Sequence, residues 1–145
     1  MNTTETITLL IVDDHEIIRT NLRLFLESTG VYRVIDDACD GLDAVAKVPC
    51  CQPDVVIMDF SMPRLDGIEA TRQILENGAS THIIILSMYM SPEQVNRAMH
   101  VGASGCVHKS SVVSEIAPAI RTVLAGKNYL SPKFSVKKPN SSIWQ

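Results

Sequence analysis

None of the 4 cysteines belongs to a C-x-x-C pair. Cys39, Cys50, Cys51 and Cys106 have neither zinc-ligand spacing nor the look of a disulfide framework. Reduced thiols in a cytoplasmic protein are the expected state. Basic charge is also short. Lys and Arg number 13 against 16 Asp and Glu, a formal net charge of −3. A broad nucleic-acid footprint needs the opposite balance. No apolar run approaches the ~20 residues of a membrane-spanning helix. The opening MNTTETITLL has no basic segment ahead of an apolar one, so no signal peptide is expected. Internal repeats and low-complexity tracts are missing too. What remains is a chain of 145 residues, enough for one domain with a proper core.

Short apolar runs alternate with longer segments of helical period. The runs lie at 7–12 (ITLLIV), 32–36 (YRVID), 55–58 (VVIM), 83–86 (IIIL) and 105–108 (GCVH). They are rich in Val and Ile and too short for helices. VVIM and IIIL are apolar throughout and ITLLIV is broken only by Thr8, as strands covered on both faces are. Helices are predicted near 15–28, 41–48, 67–77, 92–100 and 112–125. Their ends carry chemical signals. Asp66 and Glu69 have capping-box spacing, and Ser91, Pro92 and Gln94 form a second box with proline at the first helical position. Gly30, Gly78 and Gly126 stand as stops. Pro118 is the one poor helix residue in the last segment, and a kink is expected there. Five β–α units in sequence predict an α/β, flavodoxin-like (βα)5 three-layer sandwich with a parallel five-stranded sheet in the order 2-1-3-4-5. From 127 to 145 the chain reads as a linker or tail, rich in Ser, Lys and Pro.

The apolar runs end on charge. LLIVDDHE closes on Asp13 and Asp14, and VVIMDFSMP closes on Asp59. In the expected strand order the first and third strands are neighbours, and their C-terminal ends face the crevice where such sheets bind ligands. Carboxylates brought together raise one another's pKa unless something compensates. A divalent cation with oxygen ligands would do so, and Mg2+ fits best. The fourth strand ends at Ser87 and the fifth leads to Lys109. Three carboxylates, a hydroxyl and an ammonium make a phosphoryl-transfer set, with an Asp as nucleophile.

The motifs VDDH (12–15), MDFSMPRLDG (58–67), LSM (86–88) and GASGCVHK (102–109) occur in this order. In them the sequence resembles the receiver domain of bacterial two-component response regulators, over residues 7 to about 126. The resemblance implies that Asp59 is the phosphoacceptor and that Ser87 and Lys109 assist it. It implies Mg2+ ligation by Asp13, Asp14, Asp59 and the backbone carbonyl of Ser61, with Asp14 the direct ligand of the acidic pair. A sensor histidine kinase is the implied phosphoryl donor. The implied output is a signalling switch, not an enzyme, that assists its own phosphorylation and dephosphorylation and works through a homodimer or partner surface on the fourth helix, fifth strand and fifth helix. AGKNYLSPKF (125–134) resembles the end of NarL/FixJ-type receivers. There a helix-turn-helix domain follows, so DNA would be met only through a domain outside this chain, in the control of transcription.

Two departures from that pattern matter. Cys106 stands where such receivers often carry a Tyr or Phe that switches rotamer, and Ser110 follows the lysine where many have Pro. A trans peptide is expected before Ser110. Tyr89 and Ser61 occupy positions that tune phosphoryl lifetime in the family. His15 beside the acidic pair reads as a surface histidine, having no second histidine at ligand spacing. Two other classes fit the motifs less well. A phosphohydrolase of the haloacid dehalogenase type wants a second Asp where Ser61 stands. A flavodoxin-like cofactor binder wants a phosphate loop where VDDHE places negative charge.

Overall fold

The computed structural model describes residues 6–134 of the 145-residue chain. The strands are β1 (Ile7–Val12), β2 (Tyr32–Ala38), β3 (Val55–Asp59), β4 (His82–Ser87), β5 (Gly105–His108) and β6 (Tyr129–Leu130). The helices are α1 (Glu16–Glu27), α2 (Gly41–Cys51), α3 (Gly67–Glu76), α4 (Pro92–His100) and α5 (Val112–Leu124). All neighbouring strands pair in parallel, in the order β2-β1-β3-β4-β5-β6.

Alternation along the strands builds two cores, because successive side chains leave opposite faces of a sheet. Leu10, Val12, Val56, Met58, Ile83 and Ile85 face α2, α3 and α4. Leu9, Ile11, Val55, Ile57, Ile84 and Leu86 face α1 and α5, whose apolar stripe supplies Leu22, Leu26, Ile116, Ala119, Ile120 and Val123. The expected three-layer sandwich is therefore present, and both faces of the central strands are dry.

The expected helix starts are realised chemically. Ser91 and Gln94 form the reciprocal capping box of α4. Asp66 caps α3 by accepting from the Glu69 amide, but the Glu69 carboxylate does not reach back. It pairs instead with Arg72 and Gln73. The α2 helix runs past Pro49 to Cys51, further than expected. Pro49 has no amide to give the Val45 carbonyl one turn back, and the helix ends two residues later. The α5 helix is continuous through Pro118.

One expectation is corrected. The sheet has six strands, not five, and residues 127–134 are not all unpacked tail. Tyr129 and Leu130 pair beside Gly105 and Cys106 on β5. A 3-10 turn over Pro132–Phe134 follows, and it buries Phe134 to 7% exposure. Composition hid this, because Tyr129, Leu130 and Phe134 decide the packing of a segment otherwise made of Lys, Asn, Ser and Pro. The remainder of the predicted tail, 135–145, lies outside the described residues.

The loop between β3 and α3 is fixed by backbone contact. The Gly67 amide donates to the Phe60 carbonyl at 2.8 Å. A Cβ at position 67 would lie 2.8 Å from the Asp59 carbonyl oxygen and 3.0 Å from the Phe60 Cα. Gly67→Ala must therefore displace the strand end itself. The urea midpoint is expected to fall by an amount worth about 1–3 kcal/mol, the usual cost of forcing atoms into a packed site.

Candidate functional site at the carboxyl edge of the sheet

Each strand that ends on a chemical group delivers it to the same rim. Val12 lies opposite Met58 in the β1–β3 ladder, so Asp13 and Asp59 leave adjacent strands. Asp59 itself lies opposite Leu86 on β4, and Ser87 lies opposite His108 on β5, one residue before Lys109. Asp13, Asp59 and Ser87 are all buried, at 2%, 3% and 5% exposure. Burying carboxylates is costly unless they are paired and hydrogen-bonded.

Lys109 is the partner. Its Nζ lies 2.9 Å from Asp59 Oδ1 and 3.5 Å from Asp13 Oδ2, bridging the two strands. Burial pushes the Asp59 carboxyl above the usual range, and the Lys109 ammonium and the Ser61 amide pull it only part of the way back. Burial also works against the charge on Lys109, but Asp59 and Asp13 outweigh it and the ammonium is held more firmly than a free lysine's.

The acidic pair has a second partner in His15. His15 Nδ1 lies 3.0 Å from Asp13 Oδ1 and 3.3 Å from Asp14 Oδ1. Among the described residues, Asp13, Asp14 and His15 form the group whose potential ligand atoms lie within 4.8 Å of one another. The imidazole is exposed, as expected, yet it bridges both carboxylates. Its signal was adjacency alone: a residue two places after a strand-end Asp can turn back upon it. Arg19 of α1 fixes the same turn by donating to the Asp13 carbonyl at 2.7 Å.

Ser87 is brought to the rim, where its hydroxyl is engaged by the Tyr89 backbone. Its hydroxyl donates to the Tyr89 carbonyl at 2.7 Å and accepts from the Tyr89 amide at 3.1 Å. Ser61 is exposed on the loop after β3, and the Tyr89 ring is exposed beside the β4–α4 loop. No described peptide bond is cis, so the one before Ser110 is trans as expected.

An ion pair steadies the neighbouring wall. Asp40 caps α2 by accepting from the Asp43 amide at 2.8 Å, and it also binds the Arg64 guanidinium from the β3–α3 loop, whose Nε lies at 3.1 Å. Arg64 sits at φ 72°, a left-handed conformation that this contact helps hold. The hydrogen bond from Arg64 comes first among the groups that lower the Asp40 pKa below its ordinary 3.8. The sign follows: the stabilisation is present above that value and is lost as pH falls through the lower, folded-state pKa. Asp40→Ala is expected to cost about 1–2 kcal/mol at neutral pH, as lost helix caps do. Urea titrations from pH 7 down to pH 3 are expected to show the gap to wild type narrowing below about pH 4.

The group holds the carboxylates of Asp13 and Asp14 with the His15 imidazole and includes no cysteine, and its hard carboxylate oxygens suit Mg2+ better than a soft metal. Receiver domains in general bind Mg2+ in an acidic pocket of this kind.

Comparison with known proteins agrees with this geometry. A profile described as "Response regulator receiver domain" matches residues 9–121. The chain is similar to the oxygen regulatory protein NreC of Staphylococcus carnosus, 37% identical over 136 residues, which are 93% of this chain and 63% of that protein. It is similar to the response regulator UvrY of Escherichia coli K12, 36% identical over 137 residues, 94% of this chain and 63% of the relative. The chain thus spans just under two thirds of the length of these curated relatives. A crystal structure of a two-component response regulator of the LuxR family from Aurantimonas superposes with TM-score 0.85 at 36% identity, covering 90% of this chain and 93% of that one. No helix among the described residues is long and apolar enough to cross a membrane. By its motifs, sheet order, strand-end carboxylates and relatives alike, the chain belongs to the response regulator receiver domain family, in its NarL/FixJ branch.

Proposed function

We propose that Asp59 accepts a phosphoryl group from a sensor histidine kinase, with the rim described above as the reaction site. The observation that carries this reading is the Lys109 bridge. A single ammonium touches the buried carboxylates of Asp59 and Asp13, which come from distant parts of the sequence. A helix cap or turn aspartate has no need of such a partner.

Asp59 supplies the attacking oxygen, already aimed from the end of β3. Lys109 is within reach to stabilise negative charge on the transferred group, and such fixed charge acts strongly in a site that excludes water. Ser87 is one strand away and exchanges the bond it donates to the Tyr89 carbonyl for one to a phosphoryl oxygen. Asp13, Asp14, Asp59 and the Ser61 carbonyl are the groups that would hold Mg2+. When bound, the ion neutralises charge on the carboxylates and on the phosphoryl group. His15 and Arg19 hold the acidic turn in place.

The addition of charge then biases a two-state equilibrium of the domain. The output surface is the face of α4, β5 and α5, used for a second copy or another partner. In the longer protein, transcription is controlled through a helix-turn-helix domain. This is a switch that assists its own phosphorylation and dephosphorylation, working in the cytoplasm.

The test is incubation with acetyl phosphate, with and without Mg2+, followed by intact mass and peptide mapping. The expected result is one phosphoryl group on Asp59, dependent on Mg2+ and removed by hydroxylamine. A phosphoryl group on any other residue overturns the assignment. Steady release of many phosphates per protein points to the phosphohydrolase instead.

A further inference from the structure

The position on β5 where receivers often carry an aromatic switch residue holds Cys106, fully buried and too small to report on its surroundings. Phe134, from the C-terminal segment, joins the core cluster that contains Cys106, Met90, Val95 and Ala98. Its ring centroid lies 5.3 Å from that of His108, which shares a face of β5 with Cys106.

Phe134 is carried by a strap clipped along the sheet edge. The Ser131 amide donates to the Cys106 carbonyl at 2.8 Å, and the Phe134 amide donates to the Ser131 carbonyl at 2.9 Å. Lys133 Nζ donates to Ser110 Oγ at 2.8 Å. Gly105 allows the close approach, since a Cβ there would lie 3.0 Å from the Tyr129 carbonyl oxygen. The strap therefore grips the two residues that flank Lys109, His108 and Ser110, and its aromatic lies in the same core as Met90 of the β4–α4 loop.

We propose that the strap Tyr129–Phe134 is the readout of the site, with Phe134 doing from the C-terminal segment what an aromatic on β5 does elsewhere. The proposal rests on Asp59 as phosphoacceptor. Two routes reach the strap. Ser87 has one O–H and can donate it to a phosphoryl oxygen only by giving up its bond to the Tyr89 carbonyl, which loosens the loop that holds Met90 against the cluster. Lys109 follows the added charge and draws on Ser110, the acceptor for Lys133. Both loosen the seat of Phe134, so phosphorylation releases the strap, and with it whatever follows residue 134.

Amide hydrogen exchange at Ser131 and Phe134, read by mass spectrometry on the 145-residue chain with acetyl phosphate and Mg2+, tests this. The intact mass of the same sample reports the phosphoryl group. Exchange is expected to quicken about tenfold or more in phosphorylated protein, as for a locally opened segment. Phe134→Ala, and the surface variant Lys133→Ala that leaves the core intact, are expected to exchange fast before phosphorylation and to gain little after it. A phosphoryl group on Asp59 with strap exchange unchanged within about twofold overturns the readout and leaves the acceptor assignment standing. Absence of the group from Asp59 overturns the acceptor assignment, and the readout falls with it.

Discussion

Asp59→Asn is expected to abolish phosphoryl uptake completely, in the presence of Mg2+ and a small acyl phosphate alike. Asparagine has nearly the shape of aspartate, so the fold and the Ser61 contact survive. What is lost is the anionic oxygen that attacks phosphorus. The same change has a predicted signature in stability. The folded-state pKa of Asp59 is raised, mainly by burial, so the ionised form is disfavoured in the folded protein. The sign is then fixed. At neutral pH wild type bears the cost of a buried carboxylate and the variant does not, so the variant melts higher. As pH falls through the raised pKa, wild-type Asp59 takes up its proton and the difference closes. Intact mass after acetyl phosphate, together with melting curves from pH 7 to pH 4, reads both effects. A variant that still takes up one phosphoryl group, or melts lower at every pH, contradicts the role given to Asp59.

Lys109→Met separates catalysis from metal binding. Methionine keeps the length of the side chain and removes its charge. Phosphoryl transfer is expected to slow about 100-fold, the scale on which removing one fixed electrostatic group acts. Mg2+ should bind more tightly, because the ammonium now lying 2.9 Å from Asp59 and 3.5 Å from Asp13 competes with any cation for those carboxylates. The gain is set at about tenfold, or about 1.4 kcal/mol, well within the ~4 kcal/mol that a unit charge exerts at 4 Å in a partly polar protein interior. Calorimetric titration with Mg2+ and a phosphorylation time course give the two numbers. Opposite signs are the mark of a lysine that serves the transfer. A lysine that merely tidies the surface would leave both within about twofold, as exposed ion pairs do.

The fold was legible because its signals are local and repeated. Each of the five predicted strands matches an observed one to within two residues at either end, and the Val and Ile runs of β1, β3 and β4 are those buried on both faces. Ser91, Pro92 and Gln94 marked the start of α4 correctly, because a capping box is complete within four residues. The strand-end positions of Asp13, Asp14, Asp59 and Ser87 followed from the same runs, as did the arrival of Lys109 after β5. The sixth strand was not legible. Tyr129–Leu130 is too short to signal a strand, and it pairs only because Gly105 leaves room at the edge.

By itself, then, the sequence determined the alternation of strands and helices and the chemical groups at the strand ends, since both depend on neighbours a few places apart. The tertiary structure alone decided who partners whom at the rim. Lys109 spans Asp13 and Asp59, His15 folds back on the acidic pair, Ser87 bonds to Tyr89 and Phe134 packs beside His108 in the core that holds Cys106. Those choices turn on side-chain reach and burial across elements far apart in the chain, and no pattern of spacing carries that information.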